Sequence, residues 1–223
     1  AAAAIKAGRF KNHLVPIYAG DRFKPICSDI GPRSDQTLEA LARLKPIFDK
    51  RDGTVTVGNA CQITDGAAAV MVADPQVAHS EGLEVLAVVR GCAVAGLDPA
   101  RMGLGPVYAI NQVLTKAGLG LDEIDLFEIN EAFAAQVLAC ARAMASNAFC
   151  QSQLGRSGAV GELDLSKVNV NGGAIALGHP VGATGTRLVL DLLVEMQRRD
   201  AHLGIACLCV AGGQGAAILL ERI

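Results

Sequence analysis

The sequence predicts an α/β protein in which helices cover both faces of a mixed, mostly parallel five-stranded sheet. Three observations carry this. From residue 83 onward, apolar strand-like runs alternate with stretches of helical periodicity long enough to cross back over a sheet, which gives parallel pairing. A glycine-rich turn, GGAIALGHPVGATGTR at 172–187, joins one such strand to one such helix. The last two strand patterns, LGIACLCVAG and GAAILLER, meet at a GGQG turn and must pair antiparallel.

Taken in order, residues 1–50 are mixed and charged, and TLEALARLKPIFDK reads as a short amphipathic helix stopped near Pro46. In GTVTVGNACQITDGAAAVMVA, the alternating Thr and Val predict one strand and AAAVMVA a second, buried one. Asp74-Pro75 breaks that run, a helix-like PQVAHSEG follows, and a domain boundary is placed near residue 80. Beyond it come LEVLAVVRGCAVAG as strand, VYAINQVLTKAGLG as helix, EIDLFEIN as strand and EAFAAQVLACARAMA as helix. Residues 146–166 interrupt as a long polar connection, and KVNVN with TGTRLVLDLLVEMQRR repeats the strand–helix unit.

Composition removes several function classes. The chain has 223 residues, 51% hydrophobic, enough for a sizeable core in one or two domains. A net charge of −2 with 4% aromatic residues and no Trp offers neither a basic surface nor a stacking platform, so nucleic acid is excluded as the main partner. Seven cysteines without a CxxC pair predict no disulfide framework and no metal site, and point to a reducing compartment, cytoplasm or organelle matrix. No apolar run approaches the ~20 residues of a membrane span, and no secretory signal is visible. The opening AAAAIKAGRF, without Met, reads as an internal start.

Ligands of such sheets bind beyond the carboxyl ends of the strands. Three polar residues fall there: Asn130 after DLFEI, His179 after KVNVN, and Cys209 late in GIACLCV. Pro180 biases His179 toward an extended or turn geometry. An amide, an imidazole and a thiol at one rim can polarise a carbonyl and move a proton, as acyl-transfer or carbon–carbon chemistry requires. Plainer readings stand beside these: Asn130 as a helix N-cap, His179 bonded to backbone in its turn, Cys209 as an inert buried thiol. Cys207, Cys92 and Cys140 fit the inert description better.

Together, NEAFAAQ at 130–136, GGAIALGHPVGATGTR at 172–187 and CVAGGQG at 209–215 resemble the C-terminal signatures of the thiolase family. The upstream TLEALARLKPIFDKRDGTVTVGNACQITDGAAAV is similar to that family's approach to its coenzyme A site. The resemblance implies a thiolase-like fold in three parts. Residues 1–50 would end an inserted loop domain, 51–80 would be the last segment of the N-terminal half, and 81–223 the C-terminal half. It also implies reversible thiolysis of 3-ketoacyl-CoA, or Claisen condensation of acetyl-CoA units, through an acyl-cysteine. His179 would activate that cysteine, Asn130 would position a water that forms, with His179, the oxyanion hole for the enolate, and Cys209 would exchange a proton with the α-carbon. The N–H of Ala211 would serve a second oxyanion hole. Coenzyme A, a substrate rather than a cofactor, would lie along Arg33, Leu44, Phe48, Cys61 and Phe133. A homodimer or homotetramer is implied, with no metal.

The sequence departs from the family pattern in places. The acylated cysteine of thiolases stands in a CSSG- or CASG-like turn, which is absent here, and Cys27 in ICSDI and Cys61 in NACQI have other contexts. Ala211 replaces a frequent glycine and Cys61 a frequent serine. The length of 146–166 tilts the expectation toward a broader 3-ketoacyl range. Motifs of condensing ketoacyl synthases (HGTGT, GFGG) and the HDCF of the carrier-protein-linked branch are absent. A rival of another class is a non-catalytic CoA-binding or assembly subunit.

Overall fold

The computed structural model describes residues 1–12, 14–19 and 23–223. The N-terminal third contributes short pieces: α1 (Ala2–Lys6), an exposed antiparallel pair β1 (Ile17–Ala19) and β2 (Lys24–Ile26), α2 (Leu38–Ala42) and α3 (Pro75–Ser80). Thr37 caps α2 by accepting from the Ala40 N–H at 3.1 Å. The helix expected to stop near Pro46 is shorter and ends at Ala42. Asp74 caps α3 by accepting from the Gln76 N–H at 2.8 Å, with Pro75 in the first turn, where its missing donor costs nothing.

The remainder is a layered sheet. Strand β3 (Val88–Gly96) leads to α4 (Gly105–Ala117), then β4 (Leu126–Ile129), α5 (Ala134–Ala145), α6 (Asn147–Leu154), α7 (Ala174–Leu177), α8 (Thr184–Arg199), β5 (Leu203–Val210) and β6 (Gln214–Glu221). The strand order is β3-β6-β5-β4. β6 is antiparallel to both neighbours and β4 is parallel to β5, so β3, β4 and β5 run one way and β6 against them. Alternation along the strands divides the core between two helix layers. Phe127, Ile129, Ile205 and Cys207 pack with Val107, Ile110 and Cys140 of α4 and α5; Leu126, Ala206 and Leu220 pack with Leu188, Leu192 and Met196 of α8. Close approach at the start of β6 requires Gly215, where a Cβ would lie 2.0 Å from the Gly105 carbonyl oxygen.

Four expectations differ. KVNVN forms no fifth strand: Val168 makes a single parallel bridge to Phe127, and Asn169 then turns the chain with φ +46°. GTVTV and AAAVMVA form no strands, because the alternation finds no partner strand among the described residues. Met71 and Val72 are 82% and 84% exposed instead of buried. The polar connection contains α6, whose signals are local: Ser146 accepts from the Phe149 N–H at 3.2 Å, Gly155 closes the helix at φ +65°, and Cys150 is buried. Cys92 is exposed, because on β3 its neighbour Ala93 takes the core side.

Candidate active site

The site forms where β4, the turn before α8 and the end of β5 meet. Asn130 continues the parallel ladder, donating its N–H to the Cys207 carbonyl at 2.9 Å, and its side chain is fully buried. It is not a helix cap, since α5 begins only at Ala134 with Phe133 in the N-cap position. Its Nδ2 lies 3.5 Å from Nε2 of His179, so the structure brings together two residues 49 positions apart.

His179 is fixed through its backbone and its ring. Its backbone N–H donates to the Gln62 carbonyl at 2.9 Å. Its Nδ1 lies 2.6 Å from the hydroxyl of Thr184, a residue with no solvent exposure. The one hydroxyl hydrogen of Thr184 goes to the Pro180 carbonyl at 3.1 Å, so Nδ1 carries the ring proton and donates it to Thr184. Nε2 is then left with its lone pair, the state a general base needs. Burial, seconded by the positive charge of Arg187, pulls the His179 pKa below its ordinary value, so the ring stands neutral near pH 7.

Cys209, on β5, is buried and a free thiol. Burial pushes its pKa up, against the opposing backbone hydrogen bond, with the nearby Cys61 adding a little. It therefore stands protonated and can donate. Cys61 is half-buried beside the same rim: its N–H donates to the Ala132 carbonyl at 3.0 Å, and its neighbour Ala60 bridges to Phe133. Cys140 and Cys207 are deeper, the first pushed up by burial to about 12, the second also well above the usual thiol range. Ala211 lies just past β5 in an exposed turn, its carbonyl accepting from the Gln214 side chain at 3.4 Å.

The residues expected along coenzyme A are gathered in part. Phe48 and Phe133 approach with ring centroids 6.3 Å apart. Leu44 lines an open cleft of about 480 Å³ with Leu38, Leu41, Pro46 and Gly58. Arg33 is exposed on the segment that passes α7 at Gly31, and does not line that cleft.

Sequence reasoning missed several residues that hold the site. Thr184 falls in the sequence at the start of a helix pattern, and its place five positions after a histidine in a turn is the signal that points to it. Asn169 interrupts an apolar strand pattern with a residue that tolerates left-handed backbone, and its side chain bonds both the N–H and the C=O of Ile129, at 2.7 and 2.8 Å. Glu131 accepts from Asn169 and from the Ile175 N–H. Beneath them, Glu128 is 3% exposed on the α8 side of β4, and burial followed by the Asp191 carboxylate raises its pKa well above the usual range.

An imidazole with a free Nε2, a buried amide and a protonated thiol thus stand at the carboxyl rim of an α/β sheet. The chain belongs to the thiolase family: the thiolase C-terminal domain matches residues 83–222 and the thiolase N-terminal domain residues 1–76. It is 49% identical over 225 residues to an acetyl-CoA acetyltransferase of Pseudomonas aeruginosa, covering 100% of this chain and 53% of that protein. It is 47% identical over 233 residues to the peroxisomal 3-ketoacyl-CoA thiolase 2 of Arabidopsis thaliana, covering 100% and 46%. Among solved structures it resembles the Bacillus anthracis acetyl-CoA acetyltransferase, with TM-score 0.87, 44% identity and coverage of 100% and 52%. It also resembles human mitochondrial 3-ketoacyl-CoA thiolase in complex with CoA, with TM-score 0.83, 40% identity and coverage of 100% and 51%. The chain thus spans about half the length of the curated relatives it matches.

Proposed function

We propose that this chain supplies the acid–base side of a thiolase active site and takes part in reversible acyl transfer between CoA thioesters, with the nucleophilic cysteine lying outside the chain. The observation that carries the reading is His179 with its ring proton fixed on Nδ1 by Thr184 and its Nε2 lone pair beside Asn130. In thiolysis, Nε2 takes the proton of the nucleophilic thiol as its sulfur bonds the 3-keto carbon. The bond between C2 and C3 then breaks, the electron pair passes into the enolate of acetyl-CoA, and Cys209 protonates its α-carbon. A second CoA thiol then gives its proton to the Cys209 thiolate and bonds the acyl carbon, and the departing nucleophile sulfur takes back the proton held on Nε2. A water positioned by the Asn130 amide, and the imidazole N–H formed by that first transfer, donate toward the developing enolate oxygen. Relatives named as acetyl-CoA acetyltransferase and 3-ketoacyl-CoA thiolase, one solved with CoA, support CoA and acyl-CoA as the partners. Ala211, Leu44, Phe48, Cys61, Phe133 and Arg33 are proposed to contact the thioester and the CoA chain.

The test is intact mass under denaturing conditions before and after acetoacetyl-CoA. An acetyl adduct on sequence outside this chain supports the reading. Its absence, with CoA still bound, favours a CoA-binding or assembly subunit. In the complete enzyme His179→Ala abolishes acylation, whereas Cys209→Ala acylates without turning over; normal turnover by Cys209→Ala refutes the role given to that thiol.

A further inference from the structure

Asn130 and His179 meet at 3.5 Å, yet the bonds that hold their two segments together lie on the residues around them. On one side of Asn130, the Asn169 side chain acts as a strand neighbour to Ile129, accepting its N–H at 2.7 Å and donating to its carbonyl at 2.8 Å. On the other side, one Glu131 oxygen accepts from the same Asn169 amide at 2.8 Å and the other accepts the Ile175 N–H at 3.2 Å. Ile175 lies in the first turn of α7, whose N-cap is Gly173 and makes no side-chain cap. Glu131 therefore caps α7 from a different segment. The fit is close: a Cβ on Gly173 would lie 2.3 Å from the Glu131 carboxyl carbon, so only glycine admits the carboxylate. α7 ends at Leu177, and His179 follows after Gly178.

We propose that Glu131 is a positioning residue, clamping α7 to β4 so that His179 and Asn130 keep the separation at which Nε2, once it carries a proton, and a water positioned by Asn130 meet one oxygen of the substrate. This rests on the acyl-transfer reading. It also separates two half-reactions. Acylation of the nucleophile needs His179 as a base, whereas enolisation of acetyl-CoA needs His179 and Asn130 together. Loosening the clamp should damage the second far more than the first.

The experiment compares Glu131→Gln and Glu131→Ala with the parent in the complete enzyme. Glutamine keeps the shape but turns an NH2 toward a donor; alanine removes the cap. Single-turnover acylation is followed by mass, and deuterium exchange at the α-carbon of acetyl-CoA by NMR. The expected result is exchange reduced about tenfold or more relative to acylation, since small misplacements cost heavily only where two groups must converge. Exchange and acylation falling together, as a merely structural role predicts, or neither falling, overturns the proposal. A parent enzyme that neither acylates nor exchanges refutes the acyl-transfer reading instead. The clamp is then judged on the Asn130 side-chain amide resonances, which shift in Glu131→Ala if it is right and stay in place if it is wrong.

Discussion

Replacing Thr184 by valine tests the base assignment at its root. The hydroxyl is fully buried, accepts from His179 Nδ1 at 2.6 Å and donates to the Pro180 carbonyl at 3.1 Å. Valine keeps the branching but offers no acceptor, so the Nδ1 proton is left unpaired at a cost of about 1–3 kcal/mol. The ring can escape by moving that proton to Nε2, which brings it against the Asn130 Nδ2 hydrogens and removes the lone pair needed for proton abstraction. At about 1.4 kcal/mol per factor of ten, the competent tautomer and the acylation rate fall about tenfold to a hundredfold. Rapid-quench mass spectrometry of the acyl-enzyme gives the rate, and nitrogen shifts of the labelled imidazole report which nitrogen carries the proton. Thr184→Ser, which keeps the hydroxyl, should stay close to the parent. Wild-type acylation by Thr184→Val, with the proton still on Nδ1, would show that Thr184 does not set the tautomer.

Two further predictions concern titration. Burial and then Arg187 lower the His179 pKa, so the neutral ring persists below its ordinary value of 6.5, and acylation falls only as pH drops through the lowered pKa. In Arg187→Gln that acid limb should move to higher pH, and a limb that does not move refutes the charge effect. Glu128 has the opposite sign: its pKa is raised by burial first, so its contribution to stability is full below the unfolded pKa and is lost as pH rises through the folded one. Glu128→Gln, neutral throughout, should gain on the parent by up to about 1.4 kcal/mol per pH unit across that window. Urea midpoints at several pH values give the answer, and a parent that gains on the variant as pH rises would mean an ionised, well-paired Glu128.

Much of the fold and the centre of the site were legible in the sequence, and the reasons can be read from single residues. β5, β6, α4 and α8 follow from apolar periodicity with Gly118 and Gly213 as punctuation, because those signals are local. The convergence of Asn130 and His179 was also legible, since Asn130 ends a strand pattern and the segment before His179 does run beside that strand at Val168, though only for one bridge. AAAVMVA misled because a strand pattern states what a segment can bury, while a partner must be present to bury it. KVNVN misled for a subtler reason. Its Val168 does lie beside Phe127, but Asn169 replaces the next ladder position with its side-chain amide, and no hydrophobic pattern encodes that exchange.

That exchange explains why the turn at 172–187 can be so rich in glycine and still hold His179 in place. A loop with this many permissive residues would scatter His179 unless its ends were fixed. Here Asn169 and Glu131 tie the entry to β4, while the Thr184 hydroxyl and the start of α8 hold the exit. The glycines therefore supply clearance rather than freedom. Gly173 admits the Glu131 carboxylate and Gly178 admits Thr64, a Cβ at the latter lying 2.4 Å from the Thr64 hydroxyl oxygen. Gly178 also takes φ +89°, a conformation a side chain would resist, immediately before His179. The imidazole is thus placed by backbone geometry on one side and by two polar side chains on the other. Substitutions at Gly173 or Gly178 should act on the Asn130–His179 separation before they act on the sheet.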